Sequence, residues 1–98
     1  MSLTIIWNPK ALQQLEEAIA FIEKDSPANA DKVRSAILLK IDELLHYPKM
    51  HAPDRFKTNN NGAYRAFEIY RYRISYFYNE AQIRIIRIRH TAMNPKKY

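Results

Sequence analysis

Three features of the chain predict an α+β fold of order β-α-α-β-β-β, an antiparallel helix hairpin packed on a small, mostly antiparallel sheet. Two stretches, each opened by a proline, repeat apolar residues at helical spacing: Leu12, Leu15, Ile19 and Ile22, then Ala30, Val33, Ile37, Ile41 and Leu44. The segment after Gly62 is dense in β-branched and aromatic residues and alternates with period two. A 47% apolar content with a single glycine in 98 residues fits one compact core, too small to divide, so residues 1–98 form a single domain.

Thr4-Ile-Ile-Trp7 reads as a short strand that stops at Asn8-Pro9. Asn8 is a favoured N-cap type, and Pro9, which has no N–H to satisfy, suits the first helical position. Ala11 and Ala18 flank the first apolar stripe, while Glu16, Glu17 and Glu23 sit off it. The start signal returns at Ser26-Pro27, so few residues separate the helices that they must run antiparallel. Tyr47-Pro48 closes the second helix, because the residue before a proline disfavours the α region. Lys49–Gly62 is a loop with Pro53 and an Asn59-Asn-Asn-Gly62 turn, where Gly62 is expected at positive φ.

Ala63–Tyr78 is too long for one ordinary strand and requires a turn near Tyr70, although no Gly, Asn or Pro marks it. In Tyr72–Tyr78 the pattern places Tyr72, Ile74, Tyr76 and Tyr78 on one side, at least partly under the helices. Arg73, Ser75 and Phe77 take the other side. Asn79-Glu80 makes the next hairpin turn, and Ile83–His90 is the last strand. Its alternation breaks at Ile85-Ile86, which implies either a bulge or a central strand buried on both faces.

Charge divides the chain in two. Met1–Lys49 holds six basic and seven acidic residues, whereas Met50–Tyr98 holds ten basic and three acidic. Arg65, Arg71, Arg73, Arg84, Arg87 and Arg89 are interleaved with Tyr64, Tyr70, Tyr72, Tyr76 and Tyr78. Arginine offers a planar fork that matches phosphate and carboxylate, and tyrosine offers a stacking face. The second half therefore suits a polyanion or an acidic protein; the competing reading is a solvated outer face.

Other chemistries are excluded by what is missing. The absence of cysteine rules out disulfides and zinc thiolates and fits a reducing, cytoplasmic setting. Met1–Trp7 lacks the charged and apolar regions of a secretory signal, and no run approaches the ~18 apolar residues of a membrane span. His46 and His51 have no Asp, Glu or Cys set around them to complete a metal site, so no metal or cofactor is predicted. Glu16-Glu17, adjacent on a helix, point in different directions and read as solvated charge. Trp7 is expected to pack in the core at the helix entry.

The order and spacing of several pieces resemble the RelE/ParE superfamily, toxins of bacterial type II toxin–antitoxin modules. The pieces are Trp7-Asn-Pro-Lys-Ala11 with Leu15; Ala30, Val33, Ile37 and Ile41 running to Leu44 and Pro48; Tyr64-Arg65; Tyr72-Arg-Ile-Ser-Tyr76; and Ile83 to Ile88-Arg-His90-Thr91 ending at Pro95. Together they cover nearly the whole chain. The resemblance implies a small basic toxin of a plasmid-stabilisation (addiction) module, restrained by a cognate acidic antitoxin. A net charge of +6 agrees with an anionic partner.

Two mechanisms follow from the resemblance. RelE-type members are mRNA interferases that cut mRNA on the ribosome, with lysines, strand arginines and a tyrosine near the C-terminus moving protons and stabilising phosphate charge. Here Arg73 matches the strand arginine and Tyr98 aligns loosely with the tyrosine. Arg65 and Phe67 stand where lysines are expected, and an arginine guanidinium does not deprotonate in a protein. His90 is of the residue type that exchanges protons near neutral pH, so Arg73, His90 and Tyr98 are the catalytic candidates if the chain is a ribonuclease. ParE-type members instead trap DNA gyrase on cleaved DNA, and the depleted site resembles them more. Target-binding candidates are Arg65, Arg71, Arg87, Arg89, Lys96 and Lys97, with Arg87–Tyr98 expected to project past the sheet. A third possibility is a decayed module that binds its antitoxin without toxicity.

Overall fold

The structure, a computed structural model, describes residues 3–94 and 96–98, so Met1, Ser2 and the Pro95 of the last motif lie outside the described residues. The chain leaves strand β1 (Thr4–Trp7) directly into helix α1 (Pro9–Glu23), turns at Lys24–Asp25, and enters helix α2 (Pro27–Glu43). Both helices carry proline in the first turn, where no hydrogen bond is lost. Ser26 caps α2, its Oγ accepting from Asn29 N at 3.1 Å. Asn8 does not cap α1 with its side chain; its Oδ1 instead accepts from Arg84 Nη1 at 3.0 Å, tying the helix entry to the last strand. Glu16 is not simply solvated either, since both its oxygens accept from Arg34 at 2.8 and 2.9 Å and link the two helices.

Ala11, Leu15 and Ile19 bury the inner face of α1, with Ala18 and Ile22 partly covered. Leu12, expected on that stripe, is 47% exposed. At a pitch of 3.6 residues per turn the face centred on Ala11, Leu15 and Ile19 leaves position 12 to one side. The α2 stripe of Ala30, Val33, Ile37, Ile41 and Leu44 is fully buried, as its spacing requires.

The sheet has the order β1-β4-β3-β2, with β2 (Tyr64–Ile69), β3 (Tyr72–Tyr78) and β4 (Gln82–His90) antiparallel in sequence and β1 parallel to β4. Tyr70 and Arg71 form a two-residue connection in which both residues have positive φ, 50° and 67°. That geometry suits the twist of a tight hairpin and normally selects Asn-Gly, which explains why the usual turn residues gave no signal there.

The break at Ile85-Ile86 is a bulge in a central strand. Tyr76 pairs with Ile85 and Ser75 with Arg87, leaving Ile86 as the extra residue. One inserted residue exchanges the faces of the strand beyond it. Ile83 and Ile85 before the bulge and Ile88 after it therefore all point at the helices. Arg87 and Arg89, opposite Ser75 and Arg73, are turned to the other face. Where β1 ends, Ile88 N has no strand neighbour on that side, and Gln14 Oε1 of α1 accepts its hydrogen bond at 2.8 Å.

The loop between α2 and β2 runs back along the outer edge of β2. Asp54 N donates to Tyr64 O at 2.8 Å, Ala66 N to Ala52 O at 3.3 Å, and Pro53 bridges Arg65. Asn60 secures the turn: its Oδ1 accepts from Gly62 N and Tyr64 N, and its Nδ2 donates to Tyr64 O. Gly62 adopts φ 100°, where a side chain would be strained.

Candidate functional site

The face of the sheet turned away from the helices carries Glu68 on β2, Arg73 and Ser75 on β3, and Arg87 and Arg89 on β4. Asp54, from the loop, is buried over it with 2% of its surface exposed. Its Oδ1 accepts from Arg73 Nη2 at 2.9 Å and from Phe56 N at 3.1 Å, and its Oδ2 accepts from the Tyr98 hydroxyl at 2.6 Å. Burial pushes the Asp54 carboxyl up, but the bonds from Tyr98, Arg73 and Phe56 N outweigh it and hold the group below its ordinary value. Tyr98 is shifted the other way: burial and the adjacent carboxylate raise its hydroxyl well above the usual tyrosine range.

The last residues fold back over this face rather than projecting past the sheet. Tyr98 N donates to Phe56 O at 2.9 Å, while Thr58 N and Thr58 Oγ1 donate to Tyr98 O at 2.7 and 2.8 Å. Arg87 Nη2 donates to Lys96 O at 2.6 Å, and the Arg87 guanidinium lies 4.0 Å from the Tyr98 ring centroid. Arg89 Nη2 donates to Asn94 O at 3.1 Å. The expectation of a free arm failed because periodicity describes only regular elements, and this tail is held by arginine-to-carbonyl and tyrosine-to-carboxylate bonds.

Of the ribonuclease candidates, Arg73 and His90 both line one cavity beside β3 and β4, whereas Tyr98 does not line it. Arg73 is held by Asp54 and, through Nη1, by Glu68 Oε2 at 3.1 Å, with Phe56 over its guanidinium. Tyr98 joins it only through Asp54. His90 pairs with Tyr72 and packs edge-on against that ring at 5.2 Å, on the helix side of the sheet. Its Nδ1 accepts from Ala92 N at 3.0 Å, capping the turn after β4.

Among the target-binding candidates, Arg65 is occupied with the loop, donating from Nε to Gly62 O at 3.0 Å and from Nη1 to His51 O at 2.7 Å. Beneath it, His51 stacks on Phe67 at 4.6 Å, and burial lowers its imidazole pKa. Arg71, Lys96 and Lys97 are exposed. Sequence reasoning missed Asp54, Glu68 and Arg55. The available signal was compositional: the basic half holds three acids, and two of them, Asp54 and Glu68, sit on Arg73.

The arrangement is that of a basic α+β protein whose strand arginines are set by a β4 bulge, with a paired and largely covered polar centre. Its sequence matches the model of the ParE toxin of type II toxin-antitoxin system, parDE, over residues 5–95. The chain belongs to the ParE toxin family. It is also 41% identical over 54 residues to a protein of Sinorhizobium fredii (strain NBRC 101917 / NGR234) named "Putative toxin Y4kP", a match covering 55% of this chain and 56% of that protein. The chain thus spans about half the length of that relative. The family is one of toxins of type II toxin-antitoxin systems. No helix among the described residues is long and apolar enough to cross a membrane.

Proposed function

We propose that this toxin acts in the cytoplasm by inhibiting DNA gyrase, trapping it on cleaved DNA, and that an acidic antitoxin neutralises it. The observation that supports this reading over RNA cleavage is that Arg73, the strand arginine, is already paired to two carboxylates, Asp54 and Glu68. General acid–base cleavage needs its base, acid and charge-stabilising group converging on one phosphodiester, and strands β2, β3 and β4 also carry no lysine. The family points the same way. Lys96 and Lys97, exposed on the folded-back tail, are offered as contacts for the target.

Purified toxin added to gyrase, plasmid and ATP, followed by detergent and protease, is expected to release linear plasmid in proportion to the toxin. Intact supercoiled plasmid at every toxin concentration would sink the gyrase reading. Lys96→Glu with Lys97→Glu is expected to abolish linearisation. Growth arrest on expression without antitoxin separates an active toxin from a module that only binds its partner.

A further inference from the structure

Between the loop residues Arg55 and Phe56 and the ends of β3 and β4 lies a cavity of ≈ 80 Å³ walled by Arg55, Arg73, Arg87, Arg89 and His90. The one carboxylate in its lining is Glu68, which is committed to Arg73. Asp54 holds the other arm of Arg73. Arg55, Arg87 and Arg89 form no ion pair among the described residues. Arg87 and Arg89 are held by the carbonyls of Lys96 and Asn94, which aim a guanidinium without cancelling its charge. Three uncompensated cations at one half-enclosed hollow repel one another, and an apolar filling would avoid that cost. Burial, with Arg89 and Arg73 beside it, already lowers the pKa of Arg87. The charge at this hollow is complementary to an anion.

Size and donor geometry narrow the anion. A cavity measured this way needs only about 10–15 Å³ to hold one water, so ≈ 80 Å³ admits one tetrahedral oxyanion and leaves a nucleoside outside. Guanidinium forks pair with phosphate oxygens in a bidentate manner, and several can share one phosphate. We propose that this cavity is a phosphate-binding site in which Arg55, Arg87 and Arg89 hold a single phosphate group against the neutralised wall formed by Arg73. The bulge at Ile86 is part of the site, because it is what turns Arg87 and Arg89 toward the cavity. The phosphate comes from one of two sources, the terminal phosphate of a free nucleotide or a backbone phosphodiester of a strand crossing the rim.

The test follows the arginine Nε–H NMR signals of the purified toxin at constant ionic strength. The additions are inorganic phosphate, adenosine 5′-monophosphate, adenosine, and an oligothymidylate lacking terminal phosphates. Inorganic phosphate and the monophosphate are expected to shift Arg55, Arg87 and Arg89 saturably, while adenosine shifts none of them. Arg55→Gln, in an exposed loop position, is expected to weaken phosphate roughly tenfold, about one charge-assisted hydrogen bond, with an unchanged melting temperature. Arg34→Gln on the helices is expected to change nothing. Oligothymidylate shifting the same three arginines assigns the site to a strand backbone; no response to it assigns the site to a terminal phosphate. Shifts that do not saturate, that are no larger than those of Arg34 and Arg71, or that survive Arg55→Gln would overturn the proposal. No gyrase is present in this experiment, so its outcome stands apart from the plasmid assay.

Discussion

Under the helices the sheet buries Ile74, Tyr76, Ile83, Ile85 and Ile88 against Ala11, Leu15, Ile19, Val33, Ile37 and Ile41, all in one apolar cluster. On its other face it buries Asp54 and Ser75 beneath a loop and a folded-back tail. The first face is closed by area removed from water, which is non-directional and tolerant of detail. The second is closed by directional bonds around one carboxylate, and each bond depends on its neighbours. Tyr76 on the helix face needs one acceptor, Pro48 O at 2.7 Å, and burial pushes its hydroxyl up to about 12. Buried polar atoms without hydrogen-bond partners among the described residues occur on both sides, His51 Nε2 against Phe67 and Arg73 Nε and Ser75 Oγ opposite. Stability is concentrated on one side of the sheet and chemical opportunity on the other.

That contrast can be broken by substitution, and the largest effect is expected on the apolar side. Ile37→Ala should cost about 4 kcal/mol by leaving a cavity where the side chain has no exposure, read from the urea midpoint. Asp54→Asn should cost about 3 kcal/mol, because Arg73 then keeps a buried charge with only exposed Glu68 beside it. A loss for Asp54→Asn exceeding that of Ile37→Ala would reverse the ranking of the two faces. The same variant carries a pH signature. The folded Asp54 pKa lies below its unfolded value near ~4, so its contribution is complete above that pH and lost as pH falls through the folded pKa. Acid unfolding curves should therefore flatten in Asp54→Asn.

Tyr98→Phe is expected to cost about 2 kcal/mol, the scale of a hydrogen bond to a charged acceptor. Removing that donor raises the folded Asp54 pKa toward its unfolded value, so the acid loss, which still begins near ~4, should be shallower and end at higher pH than in the parent. An unchanged acid limb would mean that the tail does not clamp the polar face. The smallest effect has the opposite sign. Replacing Tyr70-Arg71 by Asn-Gly relieves two positive-φ residues and should stabilise by about 1 kcal/mol, a rise of ~4–8 °C in melting temperature for a domain of this size.

What the sequence made legible divides along the same line. The stripe from Ala30 to Leu44 and the alternation from Tyr72 to Tyr78 are periodic, so helix, strand and buried face could be read from spacing alone. The bulge was one of two readings at Ile85-Ile86, and the central position of β4 turned out to accompany it. Asp54 sits in a loop, where no period exists, and its partners lie 19 and 44 residues away. The Tyr70-Arg71 turn was invisible because it uses residues that the geometry disfavours. Asn8 carried a valid cap signal that a distant arginine claimed instead. Register puts Arg73 and His90 on opposite faces of adjacent strands, yet at the strand ends both line one cavity, which alternation alone would not reveal.

The parallel pairing of β1 with β4 governs when this molecule comes into being. Thr4 pairs with Gln82 and Trp7 with Ile85, and among the described residues β4 is the sole sheet neighbour of β1. The helix hairpin and the β2–β3 hairpin are local in sequence, whereas β1 has no strand to pair with until β4 has been made. The strand that releases it from waiting is the one that carries Arg87, Arg89 and His90. Closing the last long loop and assembling the cationic surface are one event. A chain lacking β4 has neither a partner for β1 nor Arg87 and Arg89, so the sheet and its cationic surface are completed together.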